Sequence, residues 1–259
     1  MDTLLDFLPG VPDYSTVHKP LGALTDGKKT QFDWSRFKFS QDQVDKFWKD
    51  GFLLNVPVLT HKQCDLLLED YKYFLGEEKH LGMDMLYEYH SNQSGDPDNV
   101  LMHALGHWRL TKHFHDLAFL PEVVVHIALD GQTEENGALN YIPGSHRWTR
   151  NGGNPLPVTD FNFKDMESIK TILTEEEKAN FKPVCGNLKK GEASFHHALA
   201  VHGSYGNRSS KPRRAAVLNY FKDGVCSNTD DELLKGIKIT KGQKMEGQFF
   251  PLVFDPEWM

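Results

Sequence analysis

Hydrophobic and polar positions follow two different periods along the chain, a helical one in the first half and a strand-like one in the second. A capping-box pattern at Ser40 predicts a helix that ends at Gly51, and Phe52–Val58 then has the composition of a strand. A second capping box at Thr60 predicts another helix, which ends near Gly76. The pattern therefore predicts two helices with a strand between them.

The second half begins after a third predicted helix, Met102–Leu120, in which apolar residues recur at helical spacing until Pro121 ends it. Short β-rich runs separated by Gly, Pro and Asn follow. They are 123–129, 138–142, 193–197 and 215–221. Asp160–Phe181 interrupts them with a further helix, for which Thr174 and Glu177 form a capping box. Short strands after helices favour an α+β fold built on an antiparallel sandwich or jelly roll.

Composition narrows the class of protein. The 259 residues carry a net charge of -7 with no dense basic run, so we expect no nucleic-acid partner. Three cysteines lie far apart and predict neither a zinc knuckle nor a disulfide framework. No apolar run reaches the roughly 20 residues that span a bilayer, so we expect no membrane partner and a cytoplasmic location. Residues 1–39 are interpreted as an irregular arm and 40–259 as one domain, with the oligomeric state open.

Candidate chemistry lies in the stretch Gly191-Glu-Ala-Ser-Phe-His-His-Ala-Leu-Ala-Val-His-Gly-Ser-Tyr-Gly-Asn-Arg-Ser-Ser-Lys-Pro-Arg-Arg214. It places His202 at the end of a strand and Arg213 eleven positions later on the returning strand. An imidazole is a good ligand for a borderline metal, and a guanidinium holds a carboxylate with two parallel donors. The pair is typical of a site for a metal and a carboxylate ligand.

A second stretch, Ile127-Ala-Leu-Asp-Gly-Gln-Thr-Glu-Glu-Asn-Gly-Ala-Leu-Asn-Tyr-Ile-Pro-Gly-Ser-His146, completes a resemblance. Together the two stretches resemble the phytanoyl-CoA dioxygenase family of Fe(II)/2-oxoglutarate-dependent oxygenases, over about residues 40–225. The resemblance implies a double-stranded β-helix (jelly roll) with N-terminal helices. It also implies hydroxylation of a small organic or lipid-like substrate with Fe(II) and 2-oxoglutarate as cofactors. By the same resemblance His202 would bind the metal, Arg213 would pair with the far carboxylate of 2-oxoglutarate, and Ser204 would add a hydrogen bond.

A complete iron site of this kind also needs a His-x-Asp or His-x-Glu pair, because alternate residues on a strand point the same way and can share one metal. None of the 13 histidines has a carboxylate two positions later. Leu120-Pro121-Glu122 runs almost directly into the strand at Val123, where the resemblance places the segment that carries the pair. An alternative transcript, an error in the gene prediction or a true deletion would each give this sequence.

The missing pair changes the expected fold and activity. We expect an incomplete barrel with an open edge, and a chain whose oxygenase activity is impaired. The alternatives are a non-catalytic scaffold with a binding or regulatory role, and an unstable product.

Two other pairs offer a histidine with a carboxylate. His126 and Asp130 face the same way on an extended strand, but four residues at about 3.3 Å each separate them by about 13 Å, too far for one metal. The resemblance of His126-x-Ala128 to halogenating relatives, which lack the metal carboxylate, is disfavoured by its place in the strand. His113 and Asp116 are neighbours on a helix, where packing or solvation is favoured over a metal site.

The remaining candidates have structural interpretations. Of the adjacent His196 and His197 only one can share the side of His202, and strand parity selects His196. Asn136-Gly137 and Pro143–His146 are turn signals, and His146 is expected to lie next to the site.

Overall fold

The computed structural model of the chain describes residues 11–25, 38–75, 82–98, 100–119, 126–157, 165–253 and 255. The chain divides into two compact units. The first comprises residues 1–37, 65–123 and 220–259, and the second comprises 38–64 and 124–219. In chain order the helices and strands are α1 Gln41–Asp50, β1 Phe52–Pro57, α2 His61–Lys72, β2 Glu88–His90, β3 His103–Leu105, α3 Lys112–Ala118, β4 His126–Ala128, β5 Leu139–Tyr141, α4 Glu175–Ala179, β6 Val184–Cys185, β7 Glu192–His196, β8 His202–Ser204 and β9 Ala215–Val217.

The capped helices form as predicted. The Ser40 hydroxyl accepts from the backbone N–H of Gln43 at 3.3 Å, and the Gln43 side chain accepts from the Ser40 N–H at 2.9 Å. Gly51 ends α1 with φ of 84°, a conformation that costs glycine little. Thr174 caps α4 in the same way. The local cap signals are thus confirmed for both helices.

The predicted third helix is wrong over most of its length. Residues 103–105 instead form β3, which pairs antiparallel with β2, and residues 107–109 form a short 3-10 turn before α3 begins at Lys112. Gly106 adopts φ of 101° between them, which no helix tolerates. Pairing with β2 therefore overrides the helical spacing of the apolar residues.

The first unit holds a core of Phe74, Met83, Leu86 and Leu110. Part of the predicted irregular arm packs within this unit, since the carboxylate of Asp13 forms a buried ion pair with Arg109. Among the described residues no helix is long and apolar enough to cross a membrane.

The second unit contains two antiparallel sheets. The larger has the strand order β1-β7-β4-β9, and the smaller has the order β6-β5-β8. Within the described residues β9 pairs only with β4 and β8 only with β5, so each sheet ends on one of these strands. Of the run predicted as a strand over 215–221, the structure forms a strand over Ala215–Val217, which pairs with β4. The predicted gap beside Pro121 and residues 123–125 of the predicted strand lie outside the described residues.

Candidate functional site

The register of the larger sheet decides which side chains share a face. His126 on β4 lies opposite Ser194 on β7 and opposite Val217 on β9. Directly opposed residues on neighbouring strands point to the same side, as do alternate residues along one strand. His196 therefore lies on the same face as His126 and Ser194.

The smaller sheet turns a matching face toward this one. Tyr141 on β5 lies opposite His202 on β8, and Leu139 lies opposite Ser204. The Tyr141 hydroxyl forms a hydrogen bond of 2.7 Å with the Ser194 hydroxyl, so the two faces meet. The candidate site lies between the sheets of the second unit.

His196 and His202 come together in this space, with ring centroids 4.4 Å apart. The parity prediction for His196 is thus confirmed. His197 points elsewhere, and its Nδ1 accepts from the Leu199 backbone N–H at 3.1 Å. His146 lies with His197, their ring centroids 5.3 Å apart.

His202 is held in a ligand-like orientation. Its Nδ1–H donates to the Ala200 carbonyl at 2.9 Å, which leaves the lone pair of Nε2 available. The residue is exposed, although its strand neighbour Tyr141 is buried. Exposure of an inward-facing histidine follows from the position of β8 at the end of its sheet.

Arg213 and Arg214 differ sharply in their partners. The Arg214 guanidinium binds both carboxylate oxygens of Asp130, at 2.7 and 2.8 Å. Burial lowers the pKa of Arg213, and the Tyr141 hydroxyl acts in the opposite direction. Among the described residues no carboxylate pairs with Arg213. Arg213 is a partly buried cation to which no carboxylate of the described residues binds.

His126 and His196 are neutral at pH 7. Burial lowers the pKa of His126 to about 4, and the charge of Arg213 adds to the shift. Burial lowers the pKa of His196 to about 3, with smaller contributions from His202 and His126. Arg213 therefore carries a positive charge next to two neutral imidazoles.

Two polar atoms in this region lack partners. The Nε2–H of His126 donates to Oε1 of Gln132 at 3.0 Å, but Nε2 of Gln132 has no hydrogen-bond partner within the described structure. Nδ1 of His196 also has none there. Sequence reasoning missed Gln132, because six residues on an extended strand would separate it from His126 by about 20 Å. Bends at Leu129 and Asp130 bring the two side chains together instead.

The other sequence candidates have structural roles. Asp130, which the sequence analysis set aside as a partner of His126, forms an ion pair with Arg214. His113 pairs with Asp70 at 2.8 Å, and Asp116 accepts backbone N–H groups of the N-terminal arm. These residues pack the structure, as the sequence favoured. Two surface cavities of about 390 and 550 Å³ are lined by neither His202 nor Arg213.

Comparison with known proteins places the chain. Residues 58–215, more than half of the chain, match the family described as Phytanoyl-CoA dioxygenase (PhyH). The chain belongs to this family. It is 33% identical over 100 residues to a phytanoyl-CoA dioxygenase domain-containing protein 1 homolog of Caenorhabditis elegans, and 31% identical over 106 residues to that of Caenorhabditis briggsae. Each match covers 38% of this chain and 34% of the relative, so about a third of the relatives' length is matched.

Solved structures agree on the fold of this PhyH-family chain. The non-heme alpha-ketoglutarate-dependent carbocyclase SnoK from nogalamycin biosynthesis superposes with a TM-score of 0.53 at 16% identity, over 84% of this chain and 97% of that one. The related epimerase SnoN gives 0.50 at 17% identity, over 83% and 96%. These neighbours are double-stranded β-helix proteins, and the two antiparallel sheets described above form a partial jelly roll. The predicted fold class is confirmed.

The residues that the structure describes do not fit an iron centre. Within the described part of the chain, no group of three His, Cys, Asp or Glu side chains could hold a metal ion. The sequence supplies no His-x-Asp or His-x-Glu pair to complete one around His202. Arg213, by contrast, offers fork-shaped donors of the kind that bind carboxylates, and no described carboxylate occupies them.

Proposed function

We propose that this chain is an impaired member of the Fe(II)/2-oxoglutarate oxygenases that binds a dicarboxylate of the 2-oxoglutarate class without turning it over. Family and fold support an oxygenase-like protein. The observation that carries the proposal is the state of Arg213, a partly buried guanidinium that no carboxylate of the described chain neutralises. A charge desolvated in this way is stabilised when an anion arrives.

The ligands around His202 support the proposal that 2-oxoglutarate is not turned over. The described residues supply no three-ligand set, and the sequence has no His-x-Asp or His-x-Glu pair that could hold iron on one face together with His202. The chain would then act as a binding or regulatory scaffold. Ser204, whose side chain shares the face of His202, is proposed as a further hydrogen-bond partner of the ligand.

The competing function is the oxygenase activity that the family implies, hydroxylation of a small organic or lipid-like substrate. The geometry of His202 favours it, since the Ala200 carbonyl fixes the tautomer that a metal ligand needs. The cytoplasmic location of the protein stays a prediction from the sequence.

Calorimetric titration of the full chain with 2-oxoglutarate in EDTA tests the binding. We expect saturable one-to-one binding, weakened by more than about 30-fold in Arg213→Met, because truncating one partner of a desolvated charge pair costs about 2 kcal/mol or more. Arg214→Met is the matched control, since it removes the same charge from the neighbouring residue, which pairs with Asp130. No binding by the wild-type chain would overturn the proposal.

A second titration tests turnover. Fe(II) and 2-oxoglutarate are added without oxygen, and absorption is followed before and after exposure to air. We expect no metal-to-ligand charge-transfer band and no succinate. A band followed by succinate formation would establish the oxygenase instead.

A further inference from the structure

We propose that the side-chain amide of Gln132 donates a hydrogen bond to the same carboxylate that Arg213 holds, and that His126 fixes the orientation of this amide. The inference rests on the proposed function, since it takes the ligand to be a dicarboxylate. It assigns a specificity-determining residue that lies outside the His202 and Arg213 stretch.

The side chain of Gln132 is buried and incompletely paired. The residue is 1% exposed, and its Nε2 has no hydrogen-bond partner in the described structure. A buried amide donor without an acceptor loses its hydration without compensation, and such groups are rare in folded proteins. An acceptor supplied by a ligand would restore the lost bond.

The position of the Gln132 side chain is fixed at both ends. The backbone N–H of Gln132 donates to the Leu188 carbonyl at 2.7 Å, and its own carbonyl accepts from the Leu188 N–H at 3.0 Å. At the other end, Oε1 accepts from His126 at 3.0 Å. Backbone and side-chain oxygen are thus both fixed, which leaves Nε2 as a pre-positioned donor.

The groups around His126 determine which chemical class of ligand fits. Burial is the larger cause of its lowered pKa, and the charges of Arg213 and His202 add to it, so these groups lie within electrostatic range of each other. The amide of Gln132 is one hydrogen bond from this cluster. Nε2 can only donate, so the ligand must offer an acceptor, and the same ligand must neutralise Arg213. A carboxylate does both, because its two oxygens carry about four lone pairs.

Metal-free calorimetry of the full chain with two probes tests the assignment. The probes are 2-oxoglutarate and glutarate, which lacks the keto oxygen. Gln132→Met keeps the length of the side chain and removes the amide, and we expect it to weaken both probes by the same factor of about ten. Gln132→Glu places a negative charge beside the carboxylate, and we expect a loss of more than about 100-fold. Gln41→Met, on an exposed position of α1, is the control and should bind as wild type does.

The outcomes separate this inference from the proposed function. Wild-type chain that binds neither probe, or Arg213→Met that binds both normally, overturns the proposed function. If the wild type binds and Arg213→Met does not, unchanged binding by Gln132→Met overturns the inference alone. An effect on 2-oxoglutarate but not on glutarate also overturns it, because the amide would then contact the keto oxygen.

A measurement on the wild-type chain covers the case in which the variants do not fold. The side-chain amide of Gln132 is assigned by nuclear magnetic resonance through its own backbone. We expect one amide proton to move downfield when 2-oxoglutarate saturates the metal-free chain. An unchanged resonance would contradict the hydrogen bond.

Discussion

The hydrogen bond between Tyr141 and Ser194 joins the two sheets at the candidate site, and its contribution to the free energy of unfolding can be measured. Tyr141 is 1% exposed and Ser194 is fully buried, with 2.7 Å between their oxygens. Burial raises the pKa of Tyr141 to about 12, so at pH 7 the bond joins two neutral hydroxyls.

Each single variant leaves the other hydroxyl buried without a partner. We therefore expect Tyr141→Phe and Ser194→Ala each to lower the free energy of unfolding by about 1–3 kcal/mol. The double variant leaves no orphan, so its loss should be smaller than the sum of the two by about 1 kcal/mol or more.

Urea unfolding followed by circular dichroism gives the four free energies of this cycle. Tyr205→Phe is the control, because the Tyr205 hydroxyl donates to Glu167, a partly exposed carboxylate that water can serve instead. We expect it to cost less than Tyr141→Phe. Additivity of the two single variants within about 0.5 kcal/mol would refute the reasoning.

Three further predictions follow from the buried histidines, the backbone conformation of Gly51 and the N-cap of α1. The folded pKa values of His126 and His196, about 4 and about 3, lie below the usual 6.5, so the unfolded chain takes up protons first as the pH falls. The free energy of unfolding should therefore decrease from pH 6.5 to about 4, by up to about 1.4 kcal/mol per pH unit for each histidine, and a flat profile in urea titrations would contradict this. Gly51→Ala would place a Cβ 2.3 Å from Nδ1 of His146 at a φ of +84°, so we expect a clear fall in the thermal midpoint, and an unchanged midpoint would count against the geometry. Ser40→Ala should cost about 1 kcal/mol and reduce amide-exchange protection in the first turn of α1, while wild-type protection would argue that the cap is unimportant.

Local signals were enough for some elements and not for others. Ser40 and Gln43 act within one turn of chain, so the start of α1 could be predicted from the sequence. The strand at 103–105 depends on pairing with 88–90, a contact that no short window of sequence contains. Helical spacing of apolar residues was misleading there because tertiary pairing decided the outcome.

The candidate site was predictable in part for a similar reason. Strand parity placed His196 with His202, because alternation along a strand is a local rule. The sequence could not predict that, among the described residues, Arg213 has no counterion and the amide of Gln132 has no acceptor, since both depend on the folded surroundings. Sequence motifs identify candidate site residues, whereas the packing of the folded chain decides which of them keep unpaired donors or charges.

The order of strands in the larger sheet has a consequence for how the chain folds. Phe52 on β1 pairs with His196 on β7, roughly 140 residues farther along, and β4 lies between β7 and β9. Such pairings carry the entropic cost of closing a long loop before the strand contacts form. This cost makes folding slow and prolongs the lifetime of states with exposed strands. We therefore expect the space between the two sheets, where the candidate site lies, to form late in folding. The yield of folded protein should then depend on temperature during folding as well as on the final stability.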